Sequence, residues 1–151
     1  MQQTRSLPTP VRLLGLSGVL PQIVCLAAAL TVPRSPDMSG PASLGLAYAA
    51  LILSFLGGLW WMAALQQGVT RIWPYLAAVL PSLLGWLALF PLAIGFYGVG
   101  TGLFLVGVLL LCSPLVDRAL ARIIPMPAGW IPLRVMMATG LGVSTLLLAM
   151  V

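Results

Sequence analysis

The chain has 151 residues, 61% of them hydrophobic, with seven basic and two acidic side chains and no histidine. A soluble domain carries about a quarter charged residues, so this inventory cannot cover a water-exposed surface and excludes a separate soluble domain. The formal charge of +5 comes from arginines without lysine; lacking basic patches interleaved with aromatics, it points away from nucleic acid and towards arginines that set membrane topology.

The fold class these numbers predict is all-α: a polytopic bundle of five transmembrane helices plus a short interfacial amphipathic helix. Residues 1–10 are polar, hold Pro8 and Pro10, and read as a flexible tail; 11–151 read as a single membrane domain. The first span is predicted over 12–32, with Gly15, Gly18 and Pro21 in its first half. A secretory signal peptide would share the basic start (Arg5, Arg12) and the run Ala27-Ala28-Ala29. The apolar stretch is longer than the usual 7–15-residue core of such a peptide and carries a central proline, which favours a span. Residues 33–41 form a turn-rich connection holding Arg34 and Asp37.

The second span, 44–65 (LGLAYAALILSFLGGLWWMAAL), has no charge over twenty-two residues, enough at 1.5 Å per residue to cross roughly 30 Å of hydrocarbon. Ala47, Ala50, Ser54, Gly57 and Ala64 recur three or four apart, with Trp61 in the same row and Gly58 beside it. A stripe of small residues lets another backbone approach closely where lipid is as apolar as leucine. This helix therefore reads as central. Leu46, Leu53, Leu56 and Trp60 fall on its other faces, towards lipid or bulkier neighbours.

A short polar connection, 66–72, leads to the third span, 73–91, with Pro74 in its first turn and Pro81 midway. The fourth span is predicted over 95–112, where Gly98 and Gly102 extend the helix-packing face. Ser113 and Pro114 suit the N-cap and first position of a new helix over 114–124. There Leu115, Val116, Ala119, Leu120 and Ile123 share one side, with Asp117, Arg118, Ala121 and Arg122 on the other, the pattern of a helix lying at a membrane surface. Pro125, Pro127 and Gly129 end it, and the fifth span runs over 131–151. With the N-terminus inside, Arg5, Arg12, Arg71, Arg118, Arg122 and Arg134 share the cytoplasmic side and Arg34 stands alone opposite. That bias predicts a cell inner (plasma) membrane protein with its N-terminus cytoplasmic and its C-terminus outside.

The string Tyr48-Ala49-Ala50-Leu51-Ile52-Leu53-Ser54-Phe55-Leu56-Gly57-Gly58 with Trp61 is the most specific stretch. Together with residues 14–21, Pro81-Ser82-Leu83-Leu84, Trp86, Asp117, Trp130, Leu133 and Arg134, it resembles the transmembrane protein 69 family, small bacterial and mitochondrial membrane proteins with a domain of unknown function. The resemblance implies a multi-pass architecture and supplies no reaction. This chain departs from the family at Trp60, where a histidine is usual, so a proton or metal role for that position does not carry over.

Two groupings stand out as candidate sites. Asp117 and Arg134 are expected to form an interfacial ion pair, because the dipole at the start of the fifth span disfavours a cation that no anion offsets. Independent solvation of both is the alternative. Gln22, Ser54 and Ser82 count to similar depths near the midplane, level with Pro21 and Pro81, and form a polar cluster that either satisfies kinked backbones or lines a small cavity. Cys25 and Cys112 lie at different depths, too far apart for a disulfide.

Without histidine, lysine or glutamate, acid–base chemistry has no positioned group, and a nitrogen–sulfur metal site has no ligand set. The chain is therefore expected to be no enzyme and to need no cofactor. An ion-coupled transporter keeps an ionisable group in the membrane, and no predicted span interior has one. The reading is a helix-packing or assembly protein whose partners are the lipid bilayer and other membrane proteins or its own copies; the alternative is a facilitative carrier or binding protein for a small neutral ligand.

Overall fold

The computed structural model describes residues 7–31, 40–94 and 98–151, with backbone alone at 91 and 92. Arg5, the pair Arg34 and Asp37, and positions 95–97 of the expected fourth span lie outside the described residues. Among the described residues, six helices make five crossings. Helices α1 (Thr9–Ser17) and α2 (Leu20–Thr31) share the first; α3 (Gly40–Gln66), α4 (Trp73–Ile94), α5 (Val99–Leu120) and α6 (Trp130–Met150) make the rest. Each crossing is long and apolar enough to span a bilayer, and no strand occurs among the described residues. The protein is an all-α polytopic membrane protein.

The first crossing is stepped, and its proline explains why. Pro21 has no N–H to bond the Ser17 carbonyl. The chain tightens just before it: the Gly18 N–H donates to the Gly15 carbonyl at 3.2 Å and the Val19 N–H to the Leu16 carbonyl at 3.0 Å. Gly18's own carbonyl accepts the Tyr48 hydroxyl from α3. The first span, expected over 12–32 with a proline kink, is thus one crossing, Thr9–Thr31, made of two helical segments.

Helix α3 is central, touching α2, α4, α5 and α6. Four neighbours leave little of its circumference free, so large residues as well as small ones turn inward. Leu46, Leu53, Leu56 and Trp60 are buried beside Ala50, Gly57 and Ala64, so of the two expected surroundings, lipid or bulkier neighbours, the bulky set meets its neighbours. The lipid-facing strip is instead Leu44, Leu51, Phe55, Gly58, Trp61, Met62 and Leu65. Moving leucine from lipid into protein yields no hydrophobic gain; close dispersion contact holds these helices together.

The glycines show which approaches matter. A side chain at Gly57 would strike the Ala78 carbonyl of α4, and one at Gly102 would meet the Ala88 carbonyl at 2.7 Å. Gly107 and Gly142 face one another across α5 and α6: a Cβ on Gly142 would lie 3.0 Å from the Gly107 carbonyl, and one on Gly107 3.3 Å from the Gly142 carbonyl. Of the predicted packing face, Ala50, Gly57 and Gly102 are buried, while Ala47 and Ser54 are half-buried. Gly58 and Gly98 meet nothing within 4 Å, a correction. Gly58 points out from α3, and Gly98 sits at the exposed start of α5 rather than within the expected span.

The interfacial amphipathic helix expected over 114–124 is also corrected. Helix α5 runs unbroken through Pro114 to Leu120. Pro114 deprives the Leu110 carbonyl of its usual donor, and the Ser113 hydroxyl donates to that carbonyl at 2.8 Å. Ser113 therefore mends the helix instead of capping a new one. Asp117 is carried into the bundle, and Leu115 faces outward.

Candidate functional site

The end of α5, the start of α6 and the last turns of α3 bring three polar side chains together. The Arg134 Nε donates to Asp117 Oδ2 at 2.9 Å, and the Trp60 Nε1 donates to Asp117 Oδ1 at 2.9 Å. Both carboxylate oxygens are engaged. Asp117 lies three residues from the end of α5 and Arg134 four residues into α6, so each is ~4–6 Å along its helix from the same side of the bundle. Yet the Arg134 and Asp117 side chains are only 3% and 1% exposed. The interfacial pair of the sequence reading is thus an enclosed one, because α5 enters the bundle where a surface helix was expected.

Electrostatics explains why the two belong together. The partial positive charge at the start of α6 disfavours a cation, and the partial negative charge at the end of α5 disfavours an anion. Each side chain sits at a helix end of its own sign, and each supplies the counter-charge the other lacks. The Arg134 Nη2 remains buried without a partner.

An adjoining cavity of about 170 Å³ lies between α3, α4 and α5, walled by Leu53, Trp60, Pro81, Cys112, Ser113 and Val116 among others. The Trp60 indole is both a wall of this cavity and a donor to Asp117. Cys112 is exposed, Cys25 is buried, and both are free thiols.

The expected midplane cluster divides. Ser54 and Ser82 share a hydrogen bond at 2.9 Å, with Ser82 on an exposed face. Gln22 is completely buried elsewhere, with neither amide atom partnered. Its Nε2 lies 3.3 Å from the position of a Cβ on Gly45, a residue nine positions before Ser54 and therefore ~13 Å away along α3. The first crossing starts at Thr9 rather than 12, which moves Gln22 ~20 Å from its beginning and past the midplane. Near Pro21 the side-chain donor is Tyr48, to the Gly18 carbonyl, whereas Gln22 has no partner and Ser54 and Ser82 bond each other.

Reading the sequence missed Trp60 and Tyr48. A signal for Trp60 was available: a buried indole N–H needs an acceptor, and Asp117 is the one side-chain carboxylate among the described residues.

A family model described as "Protein of unknown function (DUF3429)" matches residues 7–150. No curated protein and no solved structure matches the chain.

Proposed function

Because the chain belongs to the DUF3429 family of proteins of unknown function, which brings no reaction with it, we propose from its geometry a non-enzymatic role: packing its helices against other membrane proteins in an assembly. One observation carries this reading. Asp117, the only side-chain carboxylate of the described residues, has both oxygens occupied by Trp60 and Arg134. A proton carrier or general base needs a lone pair that reaches substrate or water. These charges join three helices instead.

The face offered to a partner is the outer side of α4, where Leu83, Trp86, Leu87 and Phe90 are exposed. The finer placement belongs to the same proposal: the cell inner (plasma) membrane, with the N-terminus cytoplasmic and the C-terminus outside, in line with the arginine distribution. So does the narrower likeness to transmembrane protein 69, which rests on residues 48–58 and Trp61 together with 14–21, 81–84, Trp86, Asp117, Trp130, Leu133 and Arg134.

Affinity purification of the tagged chain from native membranes in mild detergent tests the role. A partner recovered at fixed stoichiometry, and lost on Trp86→Ala with folding intact, supports it. Recovery of the chain alone with a bound neutral metabolite contradicts it and supports a second reading, a carrier or binding protein. The cavity beside Trp60 favours that alternative.

A further inference from the structure

A cavity of about 330 Å³ opens between α1 and α6, lined by Arg12, Leu16, Gly129, Pro132, Leu133 and Met136. The two helices run parallel, since Gly15 approaches Met137 and Leu133 while Val19 approaches Gly140. Both N-termini therefore open on the same side of the bundle. Leu16 is one turn deeper than Arg12 on α1. Leu133 and Met136 lie one and two turns deeper than Gly129 on α6, so the slot runs ~10 Å inward from a guanidinium at its mouth.

The mouth is built for negative charge. Gly129, at φ 85°, begins α6 with bare backbone, and an Arg12 guanidinium nitrogen lies 3.3 Å from where a Cβ would stand. Neither α1 nor α6 has an acidic residue in its first turn, so the two positive helix ends beside Arg12 have no counter-charge within those turns. Asp117 is already occupied. This corner has positive charge and an apolar slot beneath.

We propose that the slot holds an anionic phospholipid, its phosphate at Arg12 and the start of α6 and one acyl chain along Leu16, Leu133 and Met136. Basic pockets between spans recognise such headgroups. Two features select a lipid over a free anion: the apolar depth of the slot, which inorganic phosphate would leave uncovered, and the bilayer that these crossings place around it.

Native mass spectrometry of the full chain in detergent, titrated with phosphatidylglycerol or phosphatidylcholine, tests this. The expected result is one phosphatidylglycerol retained per chain in preference to phosphatidylcholine. Arg12→Gln and Met136→Trp should each weaken retention about tenfold, equivalent to ~1.4 kcal/mol. Met136→Trp fills the slot with every arginine intact, and Met136 is 58% exposed, so it probes the site even if the Arg12 variant misfolds. Arg71→Gln and Arg122→Gln, exposed arginines away from the slot, should leave retention unchanged. Equal retention of both lipids, undiminished binding in the slot variants, equal loss in the control variants, or displacement by inorganic phosphate at lipid-like concentrations would overturn the proposal.

Discussion

Arg134 and Asp117 meet at 2.9 Å in a region closed to solvent, each on a helix end whose partial charge repels its own. Removing either partner leaves a buried charge without compensation, at a cost of ~3–5 kcal/mol. Asp117→Leu and Arg134→Leu should therefore each lower the thermal unfolding temperature in detergent sharply. The double replacement should lose less than the sum. The exchange Asp117→Arg with Arg134→Asp should regain part of the loss, since it places each charge at the helix end that favours it. Strictly additive single effects would show the pair to be uncoupled.

Trp60 contributes one hydrogen bond to this cluster as well as a ring to the core. Trp60→Phe keeps most of the ring and orphans Asp117 Oδ1, which should destabilise by about 1–3 kcal/mol. Trp60→His keeps an N–H donor and loses packing volume. If the hydrogen bond dominates, the histidine variant is the more stable of the two in thermal unfolding; the reverse order assigns Trp60's role to packing.

Adjacent glycines in α3 offer a controlled comparison. Gly57 faces the Ala78 carbonyl of α4, and Gly58 faces open space. Gly57→Ala should cost about 1–3 kcal/mol through overpacking, whereas Gly58→Ala should be neutral or slightly stabilising, because alanine favours helix. Equal effects in thermal unfolding would mean that α3 and α4 are not in close contact there.

The crossings were legible because charge-free runs of about twenty residues have one economical explanation in a chain this apolar. Their rotation was not. A stripe of small residues identifies α3 as central, but a helix with four neighbours buries Leu46 and Trp60 as readily as Ala50, and periodicity cannot count neighbours. Asp117 and Arg134 could be singled out from charge scarcity and helix dipoles, whereas their enclosure depended on α5 continuing through Pro114. That continuation turns on one hydroxyl, Ser113 bonding the Leu110 carbonyl, where Ser-Pro equally suits a new helix start. Depth counting failed for Gln22 because the first crossing begins three residues earlier than its apolar pattern suggests and steps at Gly18.

Gln22 and Tyr48 should behave oppositely. The Gln22 amide is buried without partners, so Gln22→Leu removes an unsatisfied group and should leave stability unchanged or raise it by about 1 kcal/mol. Tyr48→Phe removes the donor to the Gly18 carbonyl at the step between α1 and α2 and should cost about 0.6–2 kcal/mol. Thermal unfolding of both variants checks this. A large loss in Gln22→Leu would mean that the amide has a partner of its own.

The most direct test of a purely structural role for the buried charges is a charge-free core, Trp60→Phe with Asp117→Leu and Arg134→Met, assayed for folding and for the proteins it brings down from native membranes. Replacing a buried ionic cluster with apolar residues of similar volume is often neutral or stabilising. The expected result is a folded chain that retains its partners at unchanged stoichiometry. A folded, monodisperse variant that loses those partners or its cellular phenotype would contradict a structural role and assign the Asp117 and Arg134 charges to function.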